Sequence, residues 1–145
     1  MSLDLPVEPF EEKVRRSFAR QAFMTTIGAS LTSVTPGSVE IRLPFRERLT
    51  QQHGYLHAAA IAGILDSACG YAALSVSAPE NEVLSVEFKL NLVAPAVGES
   101  FVAQAHIKRA GKTLTICTAD AFAVRAGRQS LIATMLATMM NMAPR

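Results

Sequence analysis

Asp66 is the only formally charged side chain between His57 and Glu80, in a stretch otherwise made of alanines, glycines, serines and larger apolar residues. A carboxylate among apolar neighbours is costly to bury unless it is paired, protonated or hydrogen-bonded. If it stays ionised, it can act as a general base or a nucleophile. Just upstream, Gln51, Gln52, His53, Gly54, Tyr55 and His57 crowd polar groups ahead of the apolar stretch. If that stretch is a helix, its first turn offers unpaired backbone N–H groups and the positive end of the helix dipole. Such groups stabilise an oxyanion, a thioester carbonyl or a phosphate. A carboxamide, a helix N-terminus and a carboxylate together suit acyl transfer. The competing readings are that Asp66 faces solvent and that His53 and His57 serve as caps or surface groups. A solvent face of this length normally carries several charges, and this one carries a single acid.

Other chemistries find no support in the spacing. No G-x-S-x-G occurs, and neither Walker nor Rossmann glycine loops are present. Cys69 and Cys117 match no zinc spacing and lie in apolar surroundings, as buried thiols of a reducing cytoplasm would. No metal site is expected.

The elements that must position these residues follow from periodicity. Residues 57–77 predict a long, largely buried helix ended by Pro79. Ile61, Ile64, Leu65, Ala68, Tyr71 and Ala72 form its apolar side. Asp66 falls on another stripe with Ala59, Ala62, Gly63, Cys69, Gly70 and Ala73. Small residues there permit close approach by another backbone, as at a subunit interface or a narrow ligand channel. Residues 10–23 predict an amphipathic helix after Pro9. Residues 30–35 and 38–45 predict a hairpin closed at Thr35–Pro36–Gly37–Ser38, and residues 45–56 predict a loop. Residues 83–93 alternate, with Leu84, Val86, Phe88, Leu90 and Leu92 opposing Ser85, Glu87, Lys89 and Asn91. Strands over 101–108, 113–125 and 130–142 follow, joined by hairpin-type turns at 95–98, 109–112 and 126–128. The order α-β-β-α-β-β-β-β predicts an α+β domain in which an antiparallel sheet covers the long helix.

Length and composition agree. The 145 residues fit one domain with a sizeable core, 50% of them are hydrophobic, and only a flexible N-terminus over residues 1–8 is expected. A net charge of +2 is too weak to imply nucleic acid but compatible with a polyanionic small ligand. The charged N-terminal residues lack the apolar core of a signal peptide. The apolar stretch 58–78 carries an acid and many small residues, as a core helix would, so no membrane association is expected and the location expected is cytoplasmic.

The residues resemble the hotdog-fold acyl-CoA thioesterases, in the PaaI-like and 4-hydroxybenzoyl-CoA thioesterase branch, over about residues 28–142. That family has an Asn or Gln, then Gly-x-x-His-Gly-Gly opening the long helix, and an acid eight residues after the first paired glycine. Here the run is Gln51-Gln52-His53-Gly54-Tyr55-Leu56-His57-Ala58-Ala59, with Asp66 at the acid position. Ser85-Val86-Glu87-Phe88 and Gly111-Lys112-Thr113-Leu114 also look like family segments. The resemblance implies a sheet wrapped around a central helix and hydrolysis of an acyl-CoA without a cofactor. It implies that Asp66 is general base or nucleophile, that Gln51 holds the thioester carbonyl or the water, that the Ala58 N–H polarises the thioester oxygen, and that Ser85 supports the water or Asp66. His57, Gly54, Ala59 and Gly70 would contact substrate, and Arg109 and Lys112 could meet CoA phosphates. Such sites form between two subunits, so a homodimer or homotetramer is implied. His-Ala-Ala in place of His-Gly-Gly adds two methyl groups where the family brings backbone close to the thioester. A non-catalytic acyl-CoA-binding protein and an acyl-thioester hydratase or dehydratase using His57 are the alternatives.

Overall fold

Residues 9–144 are described here from a computed structural model of the chain. The flexibility expected of residues 1–8 lies outside the described residues. Two short helices, α1 (Pro9–Arg20) and α2 (Ala22–Ile27), precede the hairpin of β1 (Ser30–Thr35) and β2 (Ser38–Pro44). The long helix α3 (Ala58–Val76) follows. After it come β3 (Glu82–Leu92), β4 (Ser100–Ala110), β5 (Leu114–Arg125) and β6 (Arg128–Met142). All six strands form one antiparallel sheet in the order β1-β2-β4-β5-β6-β3. The sheet packs around α3, giving the α+β hotdog fold.

The sheet's inner face explains how α3 is seated. Val39, Ile41 and Leu43 of β2 and Phe101, Ala103 and Ala105 of β4 are buried against it, as are Ala119 and Ala121 of β5 and Ala133 and Ala137 of β6. In β6 the residue between those two alanines on this face is Met135, and Met139 follows them; both are buried. The alanines leave room for Ile61, Ile64 and Leu65 of α3, which are all but fully buried. Truncating one of these to alanine would cost about 2–5 kcal/mol. The methionines at 135 and 139 are therefore core residues, filling the space beneath the helix.

Both ends of α3 are tied down. His57 is its N-cap, with Nδ1 accepting from the Ala59 N–H at 2.8 Å. At the other end Lys13 Nζ donates to the Ala78 carbonyl at 2.9 Å and to Ser77 Oγ at 3.2 Å, fastening α1 across the helix terminus. Ser75 Oγ accepts from the Gly37 N–H at 2.8 Å. Gly37 has φ +76°, the left-handed conformation required by the β1–β2 turn, so that turn is pinned to the helix.

Three expectations need correction. The helix expected over 10–23 is broken at Gln21, whose backbone is extended (φ −80°, ψ 99°), so α1 and α2 are separate. The turn at 95–98 does not close a hairpin. β3 pairs with β6 at the sheet edge while β4 pairs with β2 and β5, so residues 93–99 cross over two strands. The alternation along β3 is also interrupted. Ser85 pairs with Met139 and Glu87 with Thr138, leaving Val86 as an extra residue. This β-bulge reverses the phase of the strand. Ser85 shares the inner face with Met139, and Phe88, Leu90 and Leu92 take that same face after the bulge, opposite Ala137, Met135 and Ala133.

Candidate active site

The bulge in β3 has a direct result for Asp66. Ser85 Oγ donates to Asp66 Oδ1 at 2.6 Å. Strict alternation would have put Ser85 on the outer face with Glu87. Asp66 is half-buried and makes no salt bridge among the described residues. It opens on a cleft of about 160 Å³ lined by Ser17, Gln21, Ser67, Gly70, Tyr71, Glu82 and Ser85, among others. A carboxylate held by a neutral hydroxyl, with no paired cation, keeps lone pairs free for a proton or an electrophile.

The polar lining of this cleft has little signature in the sequence. Ser67 Oγ donates to Gln21 Oε1 at 3.0 Å, and Gln21 Nε2 donates to the Tyr71 hydroxyl at 3.3 Å. Ser17 Oγ lies 3.5 Å from the same hydroxyl. Burial pushes the Tyr71 hydroxyl above its ordinary range, keeping it a neutral member of the network. Gln21 can reach both partners because it sits at the break between α1 and α2, where its carboxamide makes no capping bond. The one sequence signal is Tyr71, a polar tip on an apolar helix face; Gln21 itself gives none.

Gln51 and Ala58 lie elsewhere in the chain. They open on a separate cavity of about 410 Å³ with Tyr55, Leu56, Ile61, Ile132 and the 92–96 segment. A tight loop presents Gln51. Its N–H donates to the Tyr55 carbonyl at 2.9 Å, its carbonyl accepts from the Gly54 N–H at 3.0 Å, and Gly54 takes φ +82° to close the turn. Gln51 Oε1 accepts from the backbone N–H groups of His53 and Tyr55. Its Nε2 therefore remains available as a donor. Ala58 N–H, the first of the helix, donates to no group among the described residues, whereas Ala59 N–H is taken by His57.

The remaining expected residues are dispersed. His57 and Ala59 line a shallow groove with Phe23, Arg48 and Thr50. Of the two methyl groups added by His-Ala-Ala, only that of Ala58 belongs to the cavity beside Gln51. Gly54 lines a second groove with Phe45, His53 and Val97. Gly70 does face the Asp66 cleft, and a Cβ added there would meet nothing within 4 Å. Arg109 lies near the end of β4, not in the turn expected over 109–112, and Lys112 lies in the β4–β5 turn; both are exposed and line neither of the first two cavities. Asn141 Nδ2 staples that turn to β6 through the carbonyls of Gly111 and Lys112, both at 3.1 Å. Cys69 is a buried thiol, as its apolar surroundings predict, and Ala73, from the same small-residue stripe, is likewise fully buried in the core. Cys117 Sγ lies 3.5 Å from the Cys69 carbonyl, and a hydrogen bond with Cys117 together with burial pushes the Cys69 thiol up.

Residues 53–127, more than half of the chain, match the family model described as the thioesterase superfamily. The chain belongs to the thioesterase superfamily. The matched span includes Ala58, Asp66 and Ser85, and it begins two residues after Gln51. This superfamily member is 50% identical to a thioesterase family protein of Silicibacter pomeroyi, with a TM-score of 0.92 over 93% of this chain and 99% of that one. The E. coli PaaI protein, from the phenylacetic acid degradation operon, shares the fold at a TM-score of 0.83 and 14% identity, covering 93% and 94% of the two chains. Staphylococcus aureus thioesterase SAV0944, solved with a glutamine replaced by alanine, is 21% identical over 84% of this chain and 99% of that one, with a TM-score of 0.78. The same protein, solved with a glutamate replaced by alanine, is 22% identical over 82% and 97%, with a TM-score of 0.75.

Proposed function

We propose that the chain hydrolyses an acyl-CoA thioester to the free acid and CoA, at a site completed by a second copy of the chain. The observation that carries this reading is Asp66 itself: a carboxylate with no paired cation among the described residues, oriented by Ser85 on the wall of a polar cleft. One copy supplies Asp66 and Ser85; the other supplies the Ala58 N–H and Gln51 Nε2. The donors hold the thioester oxygen at the positive end of α3. Asp66 takes a proton from water as the water oxygen bonds to the carbonyl carbon, or attacks that carbon itself. Negative charge collects on the oxygen held by Ala58 N–H. The carbon–sulfur bond then breaks, and the CoA thiolate leaves and takes up a proton; where Asp66 is the nucleophile this leaves an Asp66–acyl anhydride, which water hydrolyses to release the free acid and restore the carboxylate. Arg109, from the end of β4, and Lys112, from the β4–β5 turn, would meet the CoA phosphates. The reading needs no metal or further cofactor, nucleic acid or membrane, and the location that goes with it is the cytoplasm.

The two polar residues replaced in the Staphylococcus aureus thioesterase lend support. They are a glutamine and an acid fifteen positions apart, the spacing of Gln51 and Asp66 here. The decisive variant is Asp66→Asn. Release of free CoA thiol should fall by at least about a hundredfold, while assembly and CoA binding persist. Turnover retained in that variant would remove Asp66 from the mechanism. Binding of acyl-CoA by wild type with no release of thiol would replace the enzyme by a binding protein.

A further inference from the structure

We propose that Gln21 is a positioning residue for Asp66: its carboxamide clasps the turn of α3 that carries the acid, and so keeps the carboxylate directed at Ser85 and the cleft. The role rests on the reading above, in which Asp66 does the chemistry. Asp66 has little else to hold it. Ser85 is its single hydrogen-bond partner among the described residues. Its neighbours along the helix surface, three positions before and four after, are Gly63 and Gly70, which offer no side chain to pack against it. Glycine inside a helix also weakens it relative to alanine. The packed side of α3, at Ile64, Leu65 and Ala68, seats the helix on the sheet and leaves the acid's stripe to be held from outside.

The junction of α1 and α2 supplies that hold, touching the stripe on both sides of the acid. Ahead of Asp66, the Phe23 ring lies over Gly63, where a Cβ would come within 2.7 Å of a ring carbon. Beyond it, Gln21 Oε1 accepts from Ser67 Oγ at 3.0 Å, and Gln21 Nε2 donates to the Tyr71 hydroxyl at 3.3 Å. Ser67 and Tyr71 stand four residues apart, neighbours across one helical turn. The first needs an acceptor and the second receives a donor. A carboxamide offers both on one planar group, so Gln21 alone spans the turn. The far end of the clasp is anchored, because the Tyr71 ring is buried with its centroid 5.8 Å from that of Phe18. Gln21, Ser67, Tyr71 and Asp66 all line the same cleft. A displacement of about 1 Å at a reacting group can cost about a hundredfold in rate, so a freed turn has a kinetic consequence.

The test measures kcat, KM and the titration of the Asp66 carboxyl in wild type, Gln21→Met and Gln21→Glu. Carbon-13 NMR of aspartate-labelled protein follows the carboxyl, and the signal missing from Asp66→Asn identifies it. Gln21→Met keeps the length of the side chain and removes both bonds. Gln21→Glu keeps the acceptor for Ser67 and brings a second carboxylate to the cleft. Tyr71 and Glu82, the other titratable groups of the lining, are the same in all three. In Gln21→Met kcat should fall at least about tenfold, with KM changed less than about twofold. The Asp66 titration should move to higher pH in both variants, by about half a pH unit or more. In Gln21→Met the Ser85 bond to the charged form loosens; in Gln21→Glu a like charge disfavours ionisation. Should Gln21→Met not fold, the titration in Gln21→Glu decides. An unmoved kcat in folded Gln21→Met, a loss confined to KM, or an unmoved titration in either variant overturns the role. If Asp66→Asn retains turnover, or wild type releases no thiol from acyl-CoA, the hydrolase reading fails instead. The titration then decides the positioning by itself: movement to higher pH in both variants upholds it, and an unmoved titration in either overturns it.

Discussion

Ser85 joins the sheet to the proposed chemistry through a single hydrogen bond. Its hydroxyl donates to Asp66 at 2.6 Å, and the residue is otherwise exposed. Ser85→Ala should therefore leave the melting temperature nearly unchanged, because an exposed serine adds little to the core. It should lower kcat by about tenfold or more with little change in KM, because it frees the carboxylate from its aligned position. Steady-state kinetics beside a melting curve checks this; an unchanged kcat would reduce Ser85 to a surface residue. His57 illustrates the opposite outcome. Its place in the sequence suits either chemistry or capping, and its Nδ1 is engaged as the helix cap.

At the scale of elements, α3 combines two faces with different tasks. Ile61, Ile64 and Leu65 hold the core, while Gly63, Asp66 and Gly70 remain accessible. Gly70 lies inside the helix with open space where a side chain would be. Gly70→Ala should raise stability by about 1 kcal/mol through helix propensity alone. The added methyl projects into the Asp66 cleft, so kcat/KM should fall as the melting temperature rises. Scanning calorimetry and kinetics on the same sample test both. The apolar face of α3 was legible because its period is local and strong, and the acid was legible because no other charge accompanies it. The stripe around Asp66 was only half legible. A helical wheel places Cys69 and Ala73 at the right angles, but the sheet curls far enough around α3 to bury both. Pairing was less legible still. The link at 95–98 has turn residues, and nothing local distinguishes a hairpin from a crossover. Gln21 is an ordinary helix residue by type, and its bonds to Ser67 and Tyr71 join residues some fifty positions apart, which no local pattern reports.

The whole molecule divides the proposed machinery. Asp66 and Ser85 open on one cavity, and Gln51 and Ala58 open on another. A two-fold dimer that unites them uses one half of each copy per site. Complementation tests this division. Asp66→Asn and Gln51→Ala homodimers should each be nearly inactive. In a hybrid dimer one site carries both substitutions and the other carries neither. An equal mixture allowed to exchange subunits should recover about a quarter of wild-type turnover, since about half the dimers are hybrids with one intact site each. No recovery, with exchange verified by mass spectrometry, would place the whole site within one copy.

The bulge at Val86 fixes how far Ser85 stands from Phe88 along the chain while both face inward. In a regular strand the inward neighbour of Phe88 is two residues away; across the bulge it is three. A related chain of the same length but without the bulge would have to carry its hydroxyl at the position of Val86 to meet the acid. A chain lacking that residue altogether would keep the hydroxyl aligned, with its serine still opposite Met139. A column-by-column comparison of such chains would report a lost serine in the first case and a gap in the second, although both preserve the contact. The hydroxyl is better traced by its cross-strand partner on β6 than by its place in a motif.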